Sequence, residues 1–97
     1  MATVKIMYWK DIPYAVRAFD ERGRVSRQLP ETFVAAVDAA AMSDGDTEQD
    51  AYQAGFRWGP EQERPGSAEE VAGAVVAEIV AAYPASRLKM LGKRQEA

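Results

Sequence analysis

Two short interruptions divide the first 29 residues into three segments with the alternating pattern of β-strands, and this pattern constrains the fold most strongly. The segments cover residues 3–9, 14–20 and 24–29. The interruption at residues 11–13 contains a proline, which cannot donate a backbone hydrogen bond, and the one at residues 21–23 contains a glycine suited to a tight turn. Consecutive strands with such short connections pair in antiparallel fashion. The sequence therefore predicts an antiparallel sheet in the first third of the chain.

Helical spacing follows in the rest of the chain. Pro30 suits the first turn of a helix, and apolar residues then recur at intervals of three and four. A short helix is expected over residues 47–54, and a capping box at residues 67–70 opens another that continues to about Tyr83. Residues 56–58 are too short for more than a small strand. The predicted fold class is α+β, a small antiparallel sheet of three to four strands with two to three helices packed on one face.

The length of 97 residues predicts a single domain. We expect residues 1–97 to form it, with an ordered part at about residues 3–84 and a tail over residues 85–97 that is helical in part or frayed. No apolar run reaches the roughly 18 residues of a transmembrane helix, and the first residues lack the layout of a signal peptide. A cytoplasmic protein without a membrane partner is therefore expected.

Histidine and cysteine are both absent from the chain. Their absence removes the commonest general base, the commonest nucleophile–base pairs and nearly all sites for soft metals. An acidic series over residues 44–50 resembles the start of a calcium-binding loop, but Gln49 and Gly55 stand where that loop requires glycine and glutamate. The sequence predicts a protein with no catalytic residue, no metal and no cofactor.

The net charge of −3 is distributed unevenly along the chain. Residues 1–30 carry +3, residues 31–83 carry −9 and residues 84–97 carry +3. Nucleic-acid-binding domains usually combine a dense basic face with a high isoelectric point, whereas this chain has a value near 4.9. A nucleic-acid partner is therefore not expected.

Aromatic and charged side chains concentrate over residues 7–14, at the end of the first predicted strand. If Val4, Ile6 and Val16 face the helices, alternation places the residues at positions 7, 9, 17 and 19 on the opposite face. Methionine, tryptophan, phenylalanine and arginine are enriched at protein interfaces and their hot spots. The predicted partner-binding surface comprises Met7, Trp9, Lys10, Asp11, Pro13, Tyr14, Arg17 and Phe19. This interpretation requires that the aromatic rings at positions 9 and 14 remain partly exposed.

Three other interpretations of the aromatic residues remain open. In the first, the corner is purely structural, with Tyr8 and Ile12 in the core. In the second, the domain is a small-ligand or cofactor-binding module that stacks a pterin or flavin on Trp9, Tyr52 or Trp58. In the third, it is a homo-oligomeric structural protein whose sheet face pairs with its own copy.

Five short motifs follow one another over residues 8–58, within a resemblance to a known family that covers residues 3 to about 83. They are YWKDIP at 8–13, LPETF at 29–33, AVDAAAM at 36–42, DAY at 50–52, and Trp58. In this order and spacing they resemble the small bacterial domain family labelled "virulence factor", for which no catalytic residues are carried over. By this resemblance the chain is expected to share the frequent association of the family with genes of folate- and corrinoid-dependent one-carbon metabolism, including short methylenetetrahydrofolate reductases. The resemblance thus implies an accessory subunit that docks onto such an enzyme, in a hetero-complex rather than a homo-oligomer.

Overall fold

The computed structural model describes residues 1–45 and 48–93. In chain order the elements are β1 (Ala2–Trp9), β2 (Ile12–Asp20), β3 (Gly23–Gln28), α1 (Glu31–Asp44), α2 (Gln49–Ala54), β4 (Phe56–Trp58), β5 (Gln62–Arg64), α3 (Ala68–Ala82) and α4 (Ala85–Lys93). The α+β class predicted from the sequence is confirmed. Asp46 and Thr47, which belong to the acidic series and the predicted start of the second helix, lie outside the described residues, as does the end of the predicted tail at residues 94–97.

The strands form a mostly antiparallel sheet in the order β3-β2-β1-β4, and β5 also pairs with β1. β4 pairs with the second half of β1 and β5 with its first half, on the edge that β2 leaves free. Residues 59–61 separate β4 from β5. Relative to the pairing of β4 with β1, the pairing of β5 with β1 is shifted by one residue. Because Pro60 cannot donate to the sheet, it is tolerated only at such an edge interruption. β5 was not expected from the sequence, because its three residues gain strand structure only from pairing with β1.

Cross-strand pairing determines which residues share a face of the sheet. Val4 lies opposite Ala18 and Lys5 lies opposite Arg17 in the β1–β2 ladder. Val4, Ala18 and Val16 are buried, so the even-numbered residues of this ladder face the core, as the alternation predicted. The odd-numbered residues in the middle of the ladder face the other way and retain contact with solvent.

Polar contacts fix α3 over the core face of the sheet. At its first turn the backbone N–H of Ala68 donates to the Asp20 carboxylate at 2.8 Å, and the predicted capping box between Ser67 and Glu70 is present. Further along, Arg64 forms a two-point ion pair with Glu78, at 2.7 and 2.8 Å. These contacts attach both ends of α3 to strands, and its apolar residues Val71, Val75 and Ile79 are buried.

The remaining helices extend the same core. Phe33 and Val37 of α1 are fully buried, and the Phe33 ring meets Tyr83 edge-on at 6.0 Å, just past the end of α3. α4 packs against α1 and contributes the buried Leu88. One apolar core therefore joins the helices to one face of the sheet.

β2 begins two residues earlier than the sequence predicted and includes Pro13. The β1–β2 register shifts between Met7 and Tyr8, so that Ala15 pairs with Met7 while Pro13 pairs with Tyr8, and Tyr14 is left over. This β-bulge accommodates the proline in a central strand, since a bulge interrupts the hydrogen bonds that proline cannot make.

Candidate functional site

Trp9, the first predicted anchor of the partner-binding surface, is wholly buried, with 0 % of its surface exposed. Its indole Nε1 donates a hydrogen bond to the Tyr52 carbonyl at 2.7 Å, and the two rings lie 5.9 Å apart. Lys10 adopts a left-handed backbone conformation, and its N–H donates to the Gly55 carbonyl at 2.7 Å. The expectation that the Trp9 ring stays exposed is therefore wrong. The sequence did not show that α2 and β4 would fold over the indole.

The other residues of the β1–β2 corner divide between core and surface. Pro13 is buried, whereas Tyr14 is half-buried and meets the Phe56 ring edge-on at 5.0 Å. Lys10 extends its ammonium over the Trp9 ring, 4.8 Å from the centroid, and Asp11 is exposed. The corner is thus largely a structural unit with a charged tip, and a role for Lys10 and Asp11 in partner binding stays a prediction.

A second group of predicted residues does come together, on the sheet face opposite α3. Met7, Arg17 and Phe19 are all half-buried there. The pairing adds two residues that the predicted partner-binding surface did not include: Lys5, opposite Arg17, and Trp58, opposite Met7. We call these five residues the open face. Lys5 could have been included from its alternation with Met7, but Trp58 could not, because nothing in a three-residue segment specifies its strand partner.

Trp58 is the centre of the open face. Trp58 is 37 % exposed, and two cations lie against its ring, with the Lys5 Nζ 4.6 Å and the Arg17 Cζ 4.9 Å from the ring centroid. Each cation is attracted by the electron-rich face of the indole, which holds all three side chains in one cluster. The cluster is a preformed surface with aromatic, aliphatic and cationic parts.

Perturbed ionisation occurs elsewhere and has structural causes. Burial is the main cause that raises the pKa of the Tyr52 phenol. The second cause is the neighbouring Asp38 carboxylate, which accepts a hydrogen bond from the phenol. The backbone N–H groups of Ala68 and Arg22 hold the pKa of Asp20 below its usual value. Tyr52 therefore remains neutral, and Asp20 remains charged at the N-terminus of α3. Neither group belongs to the open face.

Other kinds of site have little support in the described residues. Within residues 1–45 and 48–93, no group of three acidic side chains is placed to hold a metal ion. A shallow cavity of about 390 Å³ lies between β5 and α3, lined by Arg64, Pro65, Glu70, Val71 and Ala74. The three aromatics of the ligand-binding interpretation do not line it. Trp9 and Tyr52 pack on each other while the Trp58 ring contacts Lys5 and Arg17, and ligand binding by these rings stays a prediction.

A membrane-spanning helix is not found in the part of the chain that the structure describes. No single helix there is both long enough and apolar enough to cross a membrane. Among the described helices, only α3 and α4 taken together meet the length and composition required, and they are bent by 79° at their junction.

Comparison with known proteins gives a family but no detailed mechanism. The sequence model of the family described as "Virulence factor" matches residues 7–91. Two curated relatives, both named "Conserved virulence factor C", come from Staphylococcus aureus strains MRSA252 and bovine RF122 / ET3-1. Each is 30 % identical over 89 residues, which is 92 % of this chain and 22 % of the relative. The chain thus spans about a fifth of the length of these relatives. No solved structure matches it significantly.

The family description names no enzymatic activity. The match extends from within β1 to α4, so it includes most of the sheet, Trp58 and all four helices described here. This agrees with the resemblance drawn from the sequence motifs. The chain belongs to the bacterial virulence-factor family.

Proposed function

We propose that this chain is a non-catalytic protein-binding domain and that it docks onto a partner polypeptide through the open face. The observation that carries the proposal is the half-exposed cluster of Trp58 with two cations and the neighbouring Met7 and Phe19, on the side of the sheet away from α3. Aromatic, methionine and arginine side chains contribute most of the binding free energy at protein interfaces. A rigid sheet also presents them without a large loss of conformational entropy on binding.

The lengths of the two relatives support a polypeptide partner. In each of them the matched segment is 22 % of the protein, so the equivalent domain functions beside a much longer stretch of polypeptide. A surface that holds together the parts of one protein can equally hold together two proteins. The open face has the composition expected for such a contact.

The partner proposed first is a bacterial metabolic enzyme in the cytoplasm, for which this domain is an accessory subunit. A methylenetetrahydrofolate reductase or another folate-dependent one-carbon enzyme is the candidate that the family resemblance implies. A hetero-complex is proposed in preference to a homo-oligomer.

The test is affinity purification from the native cell with quantitative mass spectrometry, using variants matched for the size of the change. Met7→Ala and Trp58→Ala remove apolar surface from the open face, whereas Met90→Ala removes the same side chain from an exposed position on α4. A hot-spot loss of about 2 kcal/mol weakens binding roughly 30-fold. We expect both open-face variants to lose a stoichiometric partner that the wild type and Met90→Ala retain. Equal recovery by all variants, each shown to be folded by circular dichroism, would refute the proposal.

A further inference from the structure

We propose that the partner presents an acidic segment and that Lys5 and Arg17 bind one of its carboxylates beside Trp58. This proposal rests on the function proposed above and adds the chemistry of the partner. It follows from how the protein arranges charge on the open face.

Lys5 and Arg17 are directly opposite each other on neighbouring strands and lie against the same indole ring. Their charged groups are therefore within about 10 Å of each other, no more than the screening length at 0.1 M salt. Like charges in directly opposite cross-strand positions destabilise a sheet. A bound anion between them would turn this repulsion into two attractions.

Within residues 1–45 and 48–93, ion pairs do not neutralise the two cations of the open face. Arg27 is paired with Glu69 and Arg64 with Glu78, whereas Lys5 and Arg17 have no ion-pair partner among the described residues. The Arg17 Nε is shielded from solvent. Within the described part of the chain, it has no hydrogen-bond acceptor. Its guanidinium is thus partly desolvated without a compensating anion. A carboxylate fits a guanidinium geometrically and forms strong, charge-assisted hydrogen bonds with it.

Charge complementarity favours an acidic polypeptide segment over a nucleic acid. By register, Arg24 of β3 extends the positive charge beside Phe19, but Glu63 of β5 lies opposite Thr3 at the other edge of the same face. A phosphate backbone would meet this carboxylate and a chain of net charge −3. A peptide needs only one or two carboxylates at the cations, with apolar side chains against Met7 and Phe19.

The first experiment uses two synthetic peptides and the emission of the two tryptophans. One peptide alternates glutamate with leucine, and the other replaces each glutamate with glutamine. The emission of Trp58 reports on the open face. The buried Trp9 serves as an internal reference, and its emission is measured alone in the Trp58→Phe variant. We expect the acidic peptide to bind at least about tenfold more tightly than the neutral one, and to lose this advantage at about 1 M salt, where charges are screened beyond about 3 Å.

Charge-removing variants separate this proposal from general electrostatic attraction. The double variant Lys5→Gln/Arg17→Gln should abolish the preference for the acidic peptide, whereas Arg22→Gln, in the exposed β2–β3 turn, should retain it. Equal affinity for both peptides, or an unchanged preference in the double variant, would overturn the proposal. A salt-sensitive dimer of the isolated chain in analytical ultracentrifugation would also overturn it, since the occupant would then be a second copy.

The same double variant in the native purification distinguishes the two levels of inference. If Trp58→Ala loses the partner but Lys5→Gln/Arg17→Gln retains it at high salt, docking through the open face stands and the acidic segment is refuted. If neither variant loses the partner, the proposed function itself fails. Loss with both variants, and elution of the wild-type complex by salt, supports both.

Discussion

Replacing Gly55 with alanine tests the burial of Trp9 through a single added methyl group. Gly55 has a right-handed backbone conformation (φ −76°), which alanine adopts without strain. A Cβ at this position would lie 2.5 Å from the Trp9 Nε1 and 2.7 Å from its Cε2. Glycine is thus required here by the close approach of the indole. Gly55 also lies just past the end of α2, where glycine is common, but that position does not explain this contact.

The magnitude follows from what the methyl group must displace. Overpacking a filled core costs about 1–3 kcal/mol. Moving the indole also disturbs its hydrogen bond to the Tyr52 carbonyl, whose net contribution is about 1 kcal/mol. We therefore expect Gly55→Ala to lower the free energy of unfolding by about 2–4 kcal/mol, and the melting temperature by roughly 10–20 °C for a domain of this size.

The assay is urea or thermal unfolding followed by circular dichroism, with Gly73→Ala as the matched control. A Cβ at Gly73, on an exposed position of α3, would meet no atom within 4 Å, so the same substitution there should stabilise the protein by about 0.5–1 kcal/mol. In a Trp9→Leu background most of the penalty of Gly55→Ala should disappear. The reasoning is refuted if Gly55→Ala unfolds like the wild type or if its cost is the same in both backgrounds.

Three smaller predictions concern capping, pH and exposure. Ser67→Ala removes the acceptor for the Glu70 N–H and should lower stability by about 1 kcal/mol, measured by thermal unfolding; no change would mean that the capping box does not stabilise α3. The folded-state pKa of Asp20 is depressed, so its contribution to stability is present above about pH 4 and is lost as pH falls through the folded value. The melting-temperature difference between wild type and Asp20→Asn should accordingly shrink below that pH, and a constant difference would contradict the assignment. Iodide should quench the fluorescence of Trp58 more than caesium does, because the surrounding cations attract anions. In the Trp58→Phe variant, the remaining emission should be quenched poorly by both ions. Equal quenching of the wild type by the two ions would argue against a cationic open face.

The elements that were predicted correctly are those whose pattern is local. The β1–β2 alternation needs only successive residues, and the capping box at Ser67 needs only four. Both determine structure by short-range geometry, so the sequence is sufficient to predict them. The α+β class follows from their order along the chain.

The features that the sequence did not reveal depend on contacts between distant segments. Trp9 is buried by α2 and β4, more than 40 residues later, so the alternation of β1 alone could not indicate its environment. β5 and Trp58 join the sheet only because β1 offers a free edge. Consequently three of the five open-face residues, Met7, Arg17 and Phe19, were predicted from the sequence, whereas the central Trp58 was not.

Docking through the open face is tested most directly by NMR of both indole N–H groups while the purified partner is added. The chain has two tryptophans, one buried and hydrogen-bonded to the Tyr52 carbonyl and the other on the open face. We expect the Trp58 signal to shift or broaden in proportion to the complex formed, while the Trp9 signal stays in place. A complex that leaves the Trp58 signal unchanged would contradict docking through the open face.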